Sequence, residues 1–102
     1  MAFTQWDYDF DGAYPSPGWL ETIPGVYVIW CKTGNKWEVL DVGQSESVRD
    51  RCKNHNRTNC WENNCRDGRL RFTAHYMPDS EEESRMQVVK DIRNHTNPPC
   101  GK

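Results

Sequence analysis

Pro24-Gly25-Val26-Tyr27-Val28-Ile29-Trp30-Cys31-Lys32-Thr33-Gly34-Asn35-Lys36-Trp37-Glu38-Val39-Leu40-Asp41-Val42-Gly43-Gln44-Ser45 is the stretch that decides the fold. Two apolar, β-branched runs flank the turn-like Lys32-Thr33-Gly34-Asn35-Lys36, and that order reads as a β-hairpin. The strands are predicted over 25–32 and 37–42. Pro24 stands just ahead of the first, where its missing N–H does no harm, and Gly43 ends the second.

Working outward, Ser47 and Asp50 have capping-box spacing and open a helix predicted to run to about residue 55. Val48 and Cys52 line its buried stripe, with Arg51 and His55 adjacent to it and one turn apart. Residues 56–68 have no period and read as a loop. Leu70, Phe72, Ala74 and Tyr76 alternate strictly with polar residues and predict a third strand. Ser80-Glu81-Glu82-Glu83 reads as a second helix start, with acids favourably placed near the N-terminus. Met86, Val88, Val89 and Ile92 give that helix an apolar stripe to about residue 95, and Pro98-Pro99 stops it. Residues 1–23, in which Trp6, Tyr8, Phe10, Tyr14 and Trp19 are interspersed with acids, are expected as an arm lying across the domain. The predicted class is α+β, a small sandwich over 24–102. Its three-stranded, mostly antiparallel sheet is flanked by helices in the order β-β-α-β-α.

The 102 residues make one domain with one modest core. Mean hydropathy is only −0.98, but five Trp, four Tyr and three Phe supply burial that aliphatic residues do not. The formal net charge of −2 weighs against a nucleic-acid binder until its distribution is considered. Residues 1–23 hold Asp7, Asp9, Asp11 and Glu21 and no Lys or Arg. Residues 45–75 hold Arg49, Arg51, Lys53, Arg57, Arg66, Arg69 and Arg71 against Glu46, Asp50, Glu62 and Asp67, so the middle is locally basic. The five cysteines are an odd set with no secretory leader ahead of them, which implies free thiols in a reducing, intracellular, cytoplasmic setting. No run approaches membrane-spanning length.

Gly25-Val26-Tyr27, Val42-Gly43-Gln44-Ser45, Arg51-Cys52-Lys53-Asn54-His55 and Asn97-Pro98-Pro99-Cys100-Gly101 together resemble the GIY-YIG nuclease domain, over about residues 24–101. The resemblance implies that fold and a phosphodiester hydrolase using one divalent metal, Mg²⁺ or Mn²⁺. Tyr27 would take the role of base toward water, Arg51 would hold the scissile phosphate, and His55 would hydrogen-bond within the site. A phenol needs a nearby cation to approach phenolate, and a guanidinium pairs bidentately with phosphate. Two positions depart from the family pattern. Asp41 stands where the second motif has Tyr, and Val89, on the apolar stripe, stands where a metal-binding Glu belongs. Asp41 is a substitute metal ligand on one reading. On others it is a charge that repels phosphate, or the partner of Arg51.

Arg49, Lys53, Arg57, Arg69 and Arg71 are the expected nucleic-acid contacts, with DNA favoured over RNA and a protein partner left open. Cys52, His55, Cys60 and Cys65 invite a zinc site, but their spacing matches no usual finger and zinc is not expected. The functional expectation is therefore a GIY-YIG-like endonuclease domain, impaired or active. The alternative is a non-catalytic nucleic-acid-binding or protein-interaction module.

Overall fold

The computed structural model describes residues 2–101, which form one five-stranded antiparallel sheet and three α-helices. The strands are β1 (Ala2–Gln5), β2 (Tyr8–Tyr14), β3 (Gly25–Thr33), β4 (Lys36–Ser45) and β5 (Arg69–Tyr76). The helices are α1 (Val48–Lys53), α2 (Thr58–Asn63) and α3 (Glu82–His95). The spatial order is β1-β2-β5-β3-β4. The expected three-stranded sheet with β-β-α-β-α order is thus corrected: two more strands come from the segment read as an arm, and an extra helix from the segment read as a loop.

The alternation of aromatic and acidic residues near the N-terminus is the signature of a strand with satisfied hydroxyls, and β2 pairs with β5. Asp11 accepts from Tyr14 Oη at 2.6 Å and from Tyr76 Oη at 2.9 Å, while Tyr8 donates to Asp91 of α3 at 2.6 Å. Trp6 and Asp7, both at positive φ, form the two-residue turn that joins β1 to β2. α1 is shorter than predicted because Asn54 caps it, which frees His55 to turn inward.

The sheet is covered on both faces. On one, Tyr27, Ile29 and Phe72 pack with Val48 and Cys52 of α1, Trp61 of α2 and Leu20. On the other, Val26, Val28 and Val42 pack with Phe10 and with Val89 and Ile92 of α3. Strand β4 is an outer strand, and two of its carbonyls are occupied by groups from the C-terminal part of the chain. Arg93 Nη2 donates to the Val42 carbonyl at 2.7 Å and the Cys100 N–H to that of Leu40 at 2.9 Å.

The expectation of free thiols is also corrected. Cys31 is bonded to Cys65, and Cys60 to Cys100, leaving only Cys52 free and buried. Such pairs persist in oxidising environments. No helix among the described residues is long and apolar enough to cross a membrane.

The bridge between Cys60 and Cys100 closes a separation of 40 residues. By the chain-entropy argument, replacing both cysteines with serine lowers stability by roughly 2–4 kcal/mol. Urea denaturation of the variant beside the unaltered chain measures that loss.

Candidate functional site

Tyr27 lies in the middle strand pair, opposite Gly43 on β4 and Ala74 on β5. A Cβ at Gly43 would collide with the tyrosine ring, so the glycine of the second motif makes room for the tyrosine of the first. The phenol is 1 % exposed and meets His55 Nε2 at 2.6 Å. The backbone N–H of Arg57 donates to His55 Nδ1 at 3.0 Å. The neutral imidazole therefore carries its proton on Nε2 and donates it to the tyrosine oxygen. Burial, reinforced by Arg51 and Arg57, pushes the His55 pKa down to about 4. Burial also pushes Tyr27 up to about 12, with the Asp41 charge adding to the rise and Arg57 opposing it. At neutral pH the pair is phenol and imidazole, both uncharged.

Asp41 is fully buried on the same face. A β-bulge between the Ile29–Asp41 and Trp30–Val39 pairs brings both Leu40 and Asp41 toward the core. The carboxylate accepts from Arg57 Nε at 2.8 Å, from Arg57 Nη2 at 3.3 Å and from Trp61 Nε1 at 2.8 Å. Gly101, at φ 76°, closes over this pair; a Cβ there would strike Asp41 Oδ1. The disulfide from Cys60 to Cys100 anchors that closing segment to α2.

These contacts decide how the remaining expectations stand. Asp41 pairs with Arg57, not with Arg51. Arg57 is thereby removed from the set of cations free to meet nucleic acid. Val89 packs on the sheet face opposite Tyr27. Neither position fits a Mg²⁺ or Mn²⁺ ion, since one is apolar and the other has both oxygens engaged by a cation and an indole. Among the described residues no three His, Cys, Asp or Glu side chains converge on one point. Cys60 and Cys65, from the set considered for zinc, lie in two different disulfides.

Arg51 donates to Asn56 at 3.0 Å and borders a cleft of about 420 Å³ lined by Gln44, Ser45, Glu46, Arg51, Glu82 and Arg85. Arg85 is the functional candidate that sequence reading missed. It is 2 % exposed, with Nε bonded to Gln44 at 2.8 Å and Nη1 to the Ser80 carbonyl at 2.6 Å and hydroxyl at 3.1 Å. Among the described residues it has no carboxylate partner. The available signal was its position four residues before Val89, on the buried stripe of α3. Arg49 and Lys53 share α1 with Arg51, whereas Arg69 and Arg71 lie on β5, toward the far end of the β3–β4 hairpin. The expected single basic face is therefore two separate groups.

Two outcomes follow from the buried pair and from the histidine. Asp41→Ala leaves the Arg57 guanidinium and the Trp61 N–H unpartnered. Because the Arg57 side chain is 30 % exposed, the expected loss is roughly 2–4 kcal/mol, toward the lower end for a broken buried pair. A denaturation double-mutant cycle with Arg57→Ala checks it, with a coupling of roughly 1 kcal/mol or more expected.

His55 takes up a proton near pH 6.5 when unfolded and only near 4 when folded. Between those values the unfolded state binds more protons, so stability rises with pH there. The contribution is full above about 6.5 and lost as pH falls toward 4, with a ceiling of about 3 kcal/mol. Denaturation midpoints from pH 7 to 4 should fall more steeply for the unaltered chain than for His55→Gln. In comparisons with known proteins, no family model, no curated protein and no solved structure matches the chain.

Proposed function

We propose that this chain is a nucleic-acid-binding domain built from GIY-YIG-type motifs, which holds a phosphodiester without supplying the groups that cleave it. The observation that carries the reading is Arg85, a buried guanidinium hydrogen-bonded only to neutral acceptors, lining one cleft with Arg51. A buried cation without an anion is costly, and a phosphate oxygen entering the cleft offsets that cost. Gln44 and Ser80 hold the Arg85 fork in place before any ligand arrives. Arg49 and Lys53 on the same helix as Arg51 supply further cations for the backbone of the ligand. Exposed Glu46 and Glu82 at the cleft limit how much negative charge it takes, which favours a singly charged diester over a terminal phosphate.

The non-catalytic part of the proposal is supported by Tyr27 and Asp41. A phenol pushed up to about 12 is a poor base at neutral pH, and the nearest carboxylate is closed off by Arg57, Trp61 and Gly101. The endonuclease that the motifs imply is the activity this arrangement has lost. The two disulfides favour a non-reducing compartment, in place of the cytoplasm, as the setting for this binding.

Titration of a labelled oligonucleotide at several salt concentrations is the test. Affinity is expected to fall with salt, and Arg51→Ala to weaken it roughly tenfold while flattening the salt slope by about one. A supercoiled plasmid is expected to stay intact with Mg²⁺ or Mn²⁺. Metal-dependent nicking that disappears in Tyr27→Phe would instead restore the nuclease reading.

A further inference from the structure

The other end of the β3–β4 hairpin carries a different surface. Cross-strand partners in a sheet point to one face, and the pairs Trp30–Arg71, Lys32–Arg69 and Lys32–Trp37 put all five side chains on the face that bears α3. None of these five is a carboxylate. Glu38 is opposite Cys31 on the other face and pairs with Lys36 at 3.4 Å. The patch therefore joins three cations and two indoles with no acid among them, in a chain whose overall charge is negative.

The indoles are held in place. Trp30 Nε1 donates to Thr73 Oγ1 at 3.1 Å, and its ring stacks on Trp6 with centroids 5.6 Å apart and an interplanar angle of 7°. Trp37 meets Trp30 edge-on at 6.0 Å and is 44 % exposed, and Lys32 Nζ is 5.3 Å from its ring centroid. Beside them opens a cleft of about 430 Å³, bounded by Trp30 and Trp37 on one side and by Phe3, Gln5, Gly12 and Ala13 on the other. That volume is within the range of roughly 300–1,000 Å³ typical of small-ligand clefts.

We propose that this cleft receives an unpaired nucleobase of a single-stranded nucleic acid. The base stacks on Trp37 at the mouth of the cleft, and Lys32, Arg69 and Arg71 meet the flanking phosphates. Three observations favour this occupant over an apolar peptide. Three cations and no acid stand beside the indoles on the hairpin side of the cleft, Trp37 is an exposed aromatic ring next to it, and the Lys32 ammonium already lies over that ring. Stacking platforms for single strands combine those features. A duplex keeps its bases stacked inside and has nothing to insert. The inference deepens the nucleic-acid reading above and rests on it for the polymer class. Its residues are distinct from the Arg51 cleft: eight positions of β4 separate Trp37 from Ser45, about 26 Å along an extended strand.

Intrinsic tryptophan fluorescence of the full chain, titrated with a single-stranded oligothymidylate and with a duplex of equal length, tests it. Quenching is expected with the single strand and little with the duplex. Trp37→Ala, at an exposed position that leaves the core intact, should weaken single-strand binding roughly 5- to 100-fold and leave duplex binding unchanged. Arg69→Ala with Arg71→Ala should flatten the single-strand salt slope by about 1.4. Single-strand affinity unchanged by Trp37→Ala, while Arg51→Ala still weakens it, overturns this site and leaves the domain reading standing. No salt-dependent binding of either polymer overturns both.

Discussion

The buried carboxylate of Asp41 is the constraint around which one side of the molecule is arranged. An ionised group with no solvent exposure is stable only when its lone pairs are filled, and here two elements fill them. The loop between α1 and α2 brings Arg57, and α2 brings the indole of Trp61. The C-terminal segment then closes over both, which requires glycine at position 101 and is secured by the disulfide from Cys60 to Cys100. A six-residue helix has little stability of its own. α2 persists because it is tied at Trp61 to the strand and at Cys60 to the tail.

The same constraint governs the chemistry available to Tyr27. The phenol, the imidazole of His55 and the ion pair share one dry compartment, in which charge on any one group is felt by the others. Burial raises the proton affinity of Tyr27, with Asp41 adding to it, and burial, reinforced by Arg51 and Arg57, keeps His55 neutral. A base would need the opposite balance, with less burial and a net positive charge about the phenol. Asp41, which stands where the motif it resembles has Tyr, adds to the burial that keeps Tyr27 in its acid form, and it engages Arg57.

Much of this was legible in the sequence, and the parts that were not have physical causes. The hairpin of β3 and β4, the third strand and the long helix each repeat one period over enough residues to be read. The bulge beside Asp41 was invisible because inserting one residue does not disturb a run that is apolar on both faces. The N-terminal strands were hidden for a related reason. Their alternation is of aromatic with acidic residues, and only the fold shows that one of those acids, Asp11, receives the hydroxyls of both Tyr14 and Tyr76. The disulfides were misjudged because an odd cysteine count was read as absence of pairing, when one thiol, Cys52, is simply core. Arg85 was passed over because an arginine on an apolar stripe looks like an interruption, although it puts a buried guanidinium against the cleft.

The sheet itself explains where its cations meet solvent. Its middle is covered on both faces, so a charge there is engaged internally, as Asp41 is by Arg57 and as Arg93 is by the Val42 carbonyl. Only beyond the helices do side chains reach solvent. At one end β4 runs out into Gln44 and Ser45 beside the start of α3, which makes a polar cleft with a buried guanidinium. At the other the hairpin extends past the helical cover, which leaves Trp37 and Lys32 in the open. On the proposed reading one end holds a phosphate and the other a base, and an unpaired strand is the polymer that offers both.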